Sequence, residues 1–317
     1  MKVFITREIS EKAIDLLKKE KFKVGIYKKD KPIPRKELIK KVKDADGIIS
    51  LLTENFDKEL INQISNCKII ANVAVGYDNI DTIYAKEKNI IVTNTPDVLT
   101  DSTADLTVAL ILACARRIPE GERMVRKRKF KGWKPKLLLG IELKDKTVGI
   151  LGAGRIGTET AIRIKTFKTK IIYFDRERSD KLEKETDAEK VSLEDLLSKA
   201  DIISVHLPLT KDTLHFLNKE RLKLLKKSAI LVNTSRGEII DEQELIKILK
   251  KKKIFSAGFD VYENEPKINP ALLKLNNVVL LPHIGSATEE ARTGMALLAA
   301  KNVIEVLNGR KALTSVN

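Results

Sequence analysis

The stretch 147-TVGILGAGRIGTETAIRIKTFKTKIIYFD-175 decides the fold. TVGIL is an apolar run of strand character, 152-GAGRIG-157 carries the spacing GxGxxG, a helix is expected over 156–167, and KIIYF reads as the next strand. A glycine-rich turn alone is a weak signal. Here it sits between a strand and a helix, where Gly152 allows the tight turn, Gly154 lets a pyrophosphate approach the backbone, and Gly157 lets the helix pack on the strand. Backbone N–H groups of Arg155, Ile156 and Gly157, with the helix dipole, would then meet the phosphates. Asp175 stands 18 residues beyond Gly157, near the ~20 residues at which an acid reaches the ribose hydroxyls of a dinucleotide. An acid at that place repels a 2′-phosphate, so NAD is the expected cofactor and NADH is preferred to NADPH. Arg176 and Arg178 work against that preference, since either could pair with the extra phosphate.

The same alternation runs outward in both directions. Downstream, strands are expected over 202–206, 229–233, 256–261 and 278–281, with helical patterns between most of them. Upstream, strands over 2–6, 23–27, 47–50, 68–73 and 90–94 alternate with helices. The first of these helices starts at Ser10 as a side-chain cap, and others lie near 35–42, 57–64 and 80–86. Single helices between strands favour parallel sheets. The chain therefore reads as α/β, with two doubly wound parallel-sheet domains. Residues 100–117 look like one long apolar helix joining them, and 288–307 like a second. A chain that leaves one domain through a helix and returns through another makes a discontinuous domain. The expectation is a substrate-binding domain of 1–98 with 286–317, a cofactor domain of 99–285, and a cleft between them. Between the long connector and the glycine motif, 123–135 is basic, holds the only tryptophan, Trp133, and reads as a helix end followed by an extended arm. Whether Trp133 is a contact surface or a packed ring stays open at this level.

Bulk composition narrows the class. The 317 residues suffice for two domains, and 43% hydrophobic with 33% charged residues is globular rather than disordered. The formal charge of +16 is spread over expected helix faces and aromatics are only 5%. A nucleic-acid surface would cluster the charge and interleave rings, so no nucleic-acid partner is expected. No apolar run reaches a membrane span and MKVFITREIS has no secretory pattern, so a cytoplasmic protein without membrane contact is expected. Cys67 and Cys114 lie singly in apolar stretches and read as buried thiols, and no metal site is expected.

Three further segments carry candidate chemistry: 232-VNTSRGEIID-241, 260-DVYENEP-266 and 282-PHIGSAT-288. Each follows an expected strand of the second domain, and ligands of open α/β sheets bind beyond the carboxyl ends of strands. Arg236, Glu265 and His283 can thus converge although they are distant in sequence. A planar Arg236 suits an anionic carboxylate. His283 titrates near neutrality and can give or take a proton. Glu265 beside the imidazole would hold its tautomer and favour its protonated form. Those three groups, downstream of a dinucleotide motif, point to hydride transfer between the cofactor and a small 2-keto or 2-hydroxy acid. His206, ending a strand in SVHLPLT, would either face the cofactor or serve a structural role. His215 reads as a turn residue with a capping or surface role.

These motifs resemble the D-isomer-specific 2-hydroxyacid dehydrogenase family. The likeness runs nearly end to end, through VAVGYDNID, TADLTVALILACARR, FKGWKP, GAGRIG, HLPLT, NTSRG and PHIGSAT. TDSTADLT and FKGWKP point to the branch that reduces glyoxylate and hydroxypyruvate, with D-lactate and D-3-phosphoglycerate dehydrogenases as the alternatives inside the family and a nucleotide-sensing binding module as the alternative of another class. The resemblance implies a flavodoxin-like substrate domain, a Rossmann cofactor domain, and Arg236, Glu265 and His283 as the catalytic three. It implies that Val75 and Gly76 bind the substrate carboxylate through backbone N–H groups. It places Thr103, Thr234 and Asp260 near the nicotinamide, with Pro208 and Gly285 also in the cofactor-binding set. It further implies a homodimer formed by the cofactor domains, with an arm over 123–139.

Overall fold

The computed structural model describes all 317 residues. In chain order its elements begin β1 (Lys2–Ile5), α1 (Glu11–Lys19), β2 (Lys23–Ile26), α2 (Arg35–Val42), β3 (Gly47–Ser50), α3 (Lys58–Asn62), β4 (Ile69–Asn72), α4 (Thr82–Glu87) and β5 (Ile91–Thr93). Then follow α5 (Thr100–Ala115), α6 (Ile118–Arg126), β6 (Thr147–Leu151), α7 (Arg155–Lys165), β7 (Lys170–Phe174), α8 (Asp180–Thr186), β8 (Glu189–Lys190), α9 (Leu193–Lys199) and β9 (Ile202–Val205). The chain finishes with α10 (Lys219–Leu222), β10 (Ile230–Asn233), a 3-10 turn (Gly237–Ile239), α11 (Glu242–Lys250), β11 (Ser256–Phe259), α12 (Pro270–Leu273), β12 (Val278–Leu280) and α13 (Glu289–Leu307).

Two compact units result, one of Met1–Leu99 with Ser286–Asn317, the other of Thr100–Gly285. The first holds a five-stranded sheet in the order β2-β1-β3-β4-β5, every pair parallel. That is the flavodoxin-like order. β3 and β4 are buried end to end, and α1 and α13 pack on this unit. The tail closes it: Asn302 Nδ2 donates to Thr314 Oγ1, whose hydroxyl donates to Asn94 O.

The second unit holds seven parallel strands in the order β12-β11-β10-β9-β6-β7-β8. Numbered from β6, this is the 3-2-1-4-5-6 Rossmann order with one strand added at the far edge. β9, β10 and β11 are buried on both faces, which is why β9 and β10 read as near-continuous apolar runs rather than alternating ones, while β11 is mostly small residues. The fold class expected from the sequence is therefore the one observed.

Local differences have local causes. Ser10 occupies the N-cap of α1, but its side chain makes no capping hydrogen bond; the first bonds of that turn go to its carbonyl. The expected helix over 100–117 stops at Ala115, because Arg117 adopts a left-handed conformation (φ 53°), and α6 starts afresh at Ile118. The two-residue edge strand β8 is polar and exposed and carries no apolar signature. Trp133 is 82% exposed, so it is not a packed ring in this chain. No helix is long and apolar enough to cross a membrane.

Candidate active site

The glycine loop leaves β6 and opens α7. Gly152 has φ +102°, and a Cβ there would lie 2.8 Å from the carbonyl carbon of His206. A Cβ on Gly157 would lie 2.1 Å from Gly152 O, so α7 can start this close to the strand only on glycine. Gly154 caps α7 and faces open space. Arg155 and Ile156 are the first two residues of the helix. Asp175 directly follows β7 and turns back on the loop: Ala153 N–H donates to its Oδ2 at 2.7 Å and Arg176 N–H to its Oδ1 at 2.6 Å. A bare backbone at a helix start with a fixed carboxylate beside it fits a dinucleotide's phosphates and ribose.

The other loops leave the same ends of the same sheet. After β9, His206 shares a hydrogen bond of 2.8 Å with Ser204 Oγ, and burial pushes its imidazole down to about 3. His206 is thus neutral at any working pH and cannot serve as proton donor. Pro208 O accepts from Thr213 Oγ1 at 2.6 Å, and Leu207 O accepts from Ser235 Oγ, which joins this loop to the one after β10. In that second loop Asn233 Oδ1 accepts from Ser235 N–H, and Asn233 Nδ2 donates to Arg236 O at 2.8 Å. The turn that presents Arg236 is therefore built by an asparagine side chain. Arg236 Nη1 donates to Ser235 O at 2.9 Å.

Gly237 lets this turn touch the next loop, since a Cβ there would lie 1.9 Å from the carbonyl carbon of Tyr262. Tyr262 fastens that loop in turn. Its N–H donates to Glu265 Oε1 at 2.9 Å, and its buried hydroxyl donates to Leu281 O at 2.8 Å, two residues before His283. Asp260 fixes the far side: Ile284 N–H and Gly285 N–H each donate to one of its oxygens at 2.7 Å. Burial raises the Asp260 carboxyl, and those two N–H groups oppose the rise without cancelling it. Thr103 Oγ1 of α5 donates to Gly285 O at 3.2 Å, and the hydroxyls of Thr107 and Thr234 lie 2.9 Å apart.

At the centre His283, itself left-handed (φ 55°), places Nδ1 2.8 Å from Glu265 Oε2. Burial by itself would raise the Glu265 carboxyl. The hydrogen bond and charge of His283 outweigh it, Tyr262 N–H and Arg236 add to them, and the carboxyl is held below its ordinary value. An ionised carboxylate only accepts, so Nδ1 carries the hydrogen and Nε2 is the nitrogen presented outward. A cation of fixed geometry, a carboxylate–imidazole pair and a dinucleotide loop thus share one end of one sheet. No group of three or more His, Cys, Asp or Glu side chains is placed to hold a metal.

Val75 and Gly76 lie in the first unit, in the loop after β4. Asn94 Nδ2 donates to Val75 O at 2.9 Å and Asn72 Nδ2 to Gly76 O at 3.0 Å, while neither backbone N–H has a protein acceptor. His215, read as a turn residue with a capping or surface role, lies in a turn with its side chain 42% exposed; its Nε2 is 3.2 Å from Glu263 Oε1, and its N–H donates to Glu238 O. Sequence reasoning missed Tyr262, Asn233 and Ser235. The asparagine at the head of NTSRG was the one available signal, as a turn-forming side chain.

Residues 108–285 match the model of the D-isomer-specific 2-hydroxyacid dehydrogenase NAD-binding domain. A protein of Pyrococcus horikoshii named glyoxylate reductase is 50% identical over 320 positions, covering 100% of this chain and 96% of that one. The crystal structure of the TT0316 protein from Thermus thermophilus superposes with a TM-score of 0.94 at 40% identity, each chain covered in full. A Sinorhizobium meliloti NADPH-dependent glyoxylate/hydroxypyruvate reductase, in complex with NADP and malonate, superposes at 0.86 with 31% identity, covering 99% of this chain and 96% of that one. With more than half its length matched by the family's domain model and a full-length relative at 50% identity, the chain belongs to the D-isomer-specific 2-hydroxyacid dehydrogenase family.

Proposed function

We propose that this dehydrogenase reduces glyoxylate and hydroxypyruvate, giving the D-isomer where the product is chiral, and that it prefers NADH to NADPH. The observation that carries the reading is the Glu265–His283 pair beside Arg236 at the end of the sheet that carries the glycine loop. Full-length relatives named glyoxylate reductase support the substrate class. Bound nicotinamide supplies the hydride. Arg236 grips the substrate carboxylate with a planar fork. His283 gives the proton on Nε2 to the carbonyl oxygen as the C2–H bond forms, and Glu265 stabilises the imidazolium until that transfer. Val75 and Gly76 keep the substrate-binding role, with their unspent N–H groups. Thr103, Thr234, Asp260 and Gly285 form the wall assigned to the nicotinamide, with His206 and Pro208 on the cofactor side. Initial rates of NADH oxidation over a panel of keto acids test the substrate. Glyoxylate and hydroxypyruvate should show the highest kcat/KM; a roughly tenfold advantage for pyruvate or 3-phosphohydroxypyruvate, a clear margin in transition-state terms, would reassign it.

The cofactor preference rests on Asp175, whose carboxylate is held after β7 by Ala153 N–H, where an acid can meet the ribose hydroxyls and repel a 2′-phosphate. Like charges brought together at an interface cost several kcal/mol. Asp175→Ala is therefore expected to narrow the NADH-over-NADPH ratio of kcat/KM by about tenfold or more. A wild-type enzyme that uses NADPH as well as NADH would contradict this role.

The proposal includes a cytoplasmic homodimer. Trp133, Phe130 and Leu139 are exposed on the segment after α6, a density of apolar surface that a partner copy would cover. Light scattering at working concentration should give twice the chain mass, and a monomer there would remove the dimer from the proposal.

A further inference from the structure

Three residues after Asp175, Arg178 is one of the two guanidiniums, with Arg176, placed in sequence to accept a 2′-phosphate, yet it is already engaged. Its Nε donates to Glu183 at 3.0 and 2.8 Å, and its Nη2 lies 2.8 Å from Glu183 Oε2. Glu183 is itself held in place. Tyr173, whose ring is wholly buried in β7, donates its hydroxyl to Glu183 Oε1 at 2.5 Å, and that hydroxyl accepts Ser179 N–H at 3.0 Å. The Glu183 side chain is only 19% exposed, against 73% for Arg178. The arginine is the exposed partner and the carboxylate the anchored one.

From this we propose that Glu183 is a specificity-determining residue for the cofactor, holding Arg178 away from a 2′-phosphate and so favouring NADH. The inference rests on the NAD(P)H-binding reading above. Asp175 disfavours NADPH by repulsion; Glu183 does so by occupying the cation that would bind the phosphate. The hydrogen bonds and charge of Arg178, with the hydroxyl of Tyr173, hold the Glu183 carboxyl below its ordinary value, so the anchor stays charged at working pH. Arg178 also has room to move. It lines, with Glu183, Ala188, Glu189 and Lys190, a cavity of about 320 Å³ at the β7–β8 edge of the sheet. Lys190 is occupied as well, donating to Arg176 O at 3.0 Å. Once Glu183 loses its charge, Arg178 is the freed cation next to the adenosine ribose.

The test compares the full-length wild type with Glu183→Gln, Arg178→Ala and the double variant. It measures kcat/KM for NADPH and NADH with glyoxylate at low salt, and binding of each cofactor by fluorescence titration without substrate. Glu183→Gln should raise the NADPH-to-NADH ratio by about two- to fivefold, the scale of one released surface ion pair. Arg178→Ala should leave the NADPH-to-NADH ratio near that of the wild type, because Arg178 is already withheld there, and the double variant should lose the gain. An unchanged ratio in Glu183→Gln, or a gain that survives in the double variant, overturns the proposal while the cofactor reading stands. A wild type that binds neither cofactor overturns the reading and this proposal with it.

Discussion

Replacing His283 with alanine is expected to lower the turnover of keto-acid reduction by about 10²–10⁴-fold, the usual worth of a positioned acid–base group. Cofactor affinity should change little, because the glycine loop and Asp175 are independent of this side chain. The sign of the pH dependence follows from the protonation each direction needs. Reduction takes up a proton, delivered through His283 Nε2, so its rate falls as pH rises. Oxidation requires the neutral ring and rises over the same range. Glu265 is ionised throughout, since its carboxyl is held below the ordinary range. Glu265→Gln keeps a hydrogen-bond acceptor for Nδ1 but removes the charge beside it, so the reduction profile should no longer superimpose on that of the wild type. Paired pH–rate profiles with product release shown not to limit the rate are the measurement. Superimposable profiles would separate Glu265 from the proton transfer, and near-normal turnover in His283→Ala would remove His283 as its donor.

Arg236→Lys has the second large effect. Lysine keeps the charge and loses the planar fork that matches a carboxylate. Arg236 sits on a turn made rigid by Asn233 and pressed by Gly237 against Tyr262. A shorter point charge from the same Cα therefore cannot be recovered by a backbone shift. The loss in kcat/KM for the keto acid should be about 2–5 kcal/mol, with the Kd for NADH unchanged. Unaltered kinetics would take Arg236 out of the substrate site.

What could be read before the fold was known is what local chemistry encodes. GAGRIG is legible because each glycine answers a backbone constraint within the motif itself, and Asp175 because the βαβ unit fixes how far the next strand end lies. Buried parallel strands such as ILVN and IISV are legible as apolar runs. The candidate chemistry of Arg236, Glu265 and His283 was approachable because parallel strands bring their following loops to one end. The rest depended on tertiary geometry. Arg117 breaks the connector helix in a left-handed conformation, and Pro119, in the first turn of α6, was a signal that the apolar pattern over 100–117 outweighed. Tyr262 reads as one more core ring, and only the fold shows its N–H on Glu265 and its hydroxyl on Leu281 O. Arg178 and Glu183 are two charges among many, and nothing in the order of residues says that a buried Tyr173 anchors one of them.

The most direct measurement of the central claim is the fate of the hydride. The enzyme is incubated with hydroxypyruvate and NADH carrying deuterium in the transferable position at C4, and the product is analysed for label and chirality. The account predicts D-glycerate with deuterium at C2, formed one-for-one with oxidised cofactor, and at a far lower rate in His283→Ala. L-glycerate, product without deuterium at C2, or no consumption of either nicotinamide cofactor would contradict it.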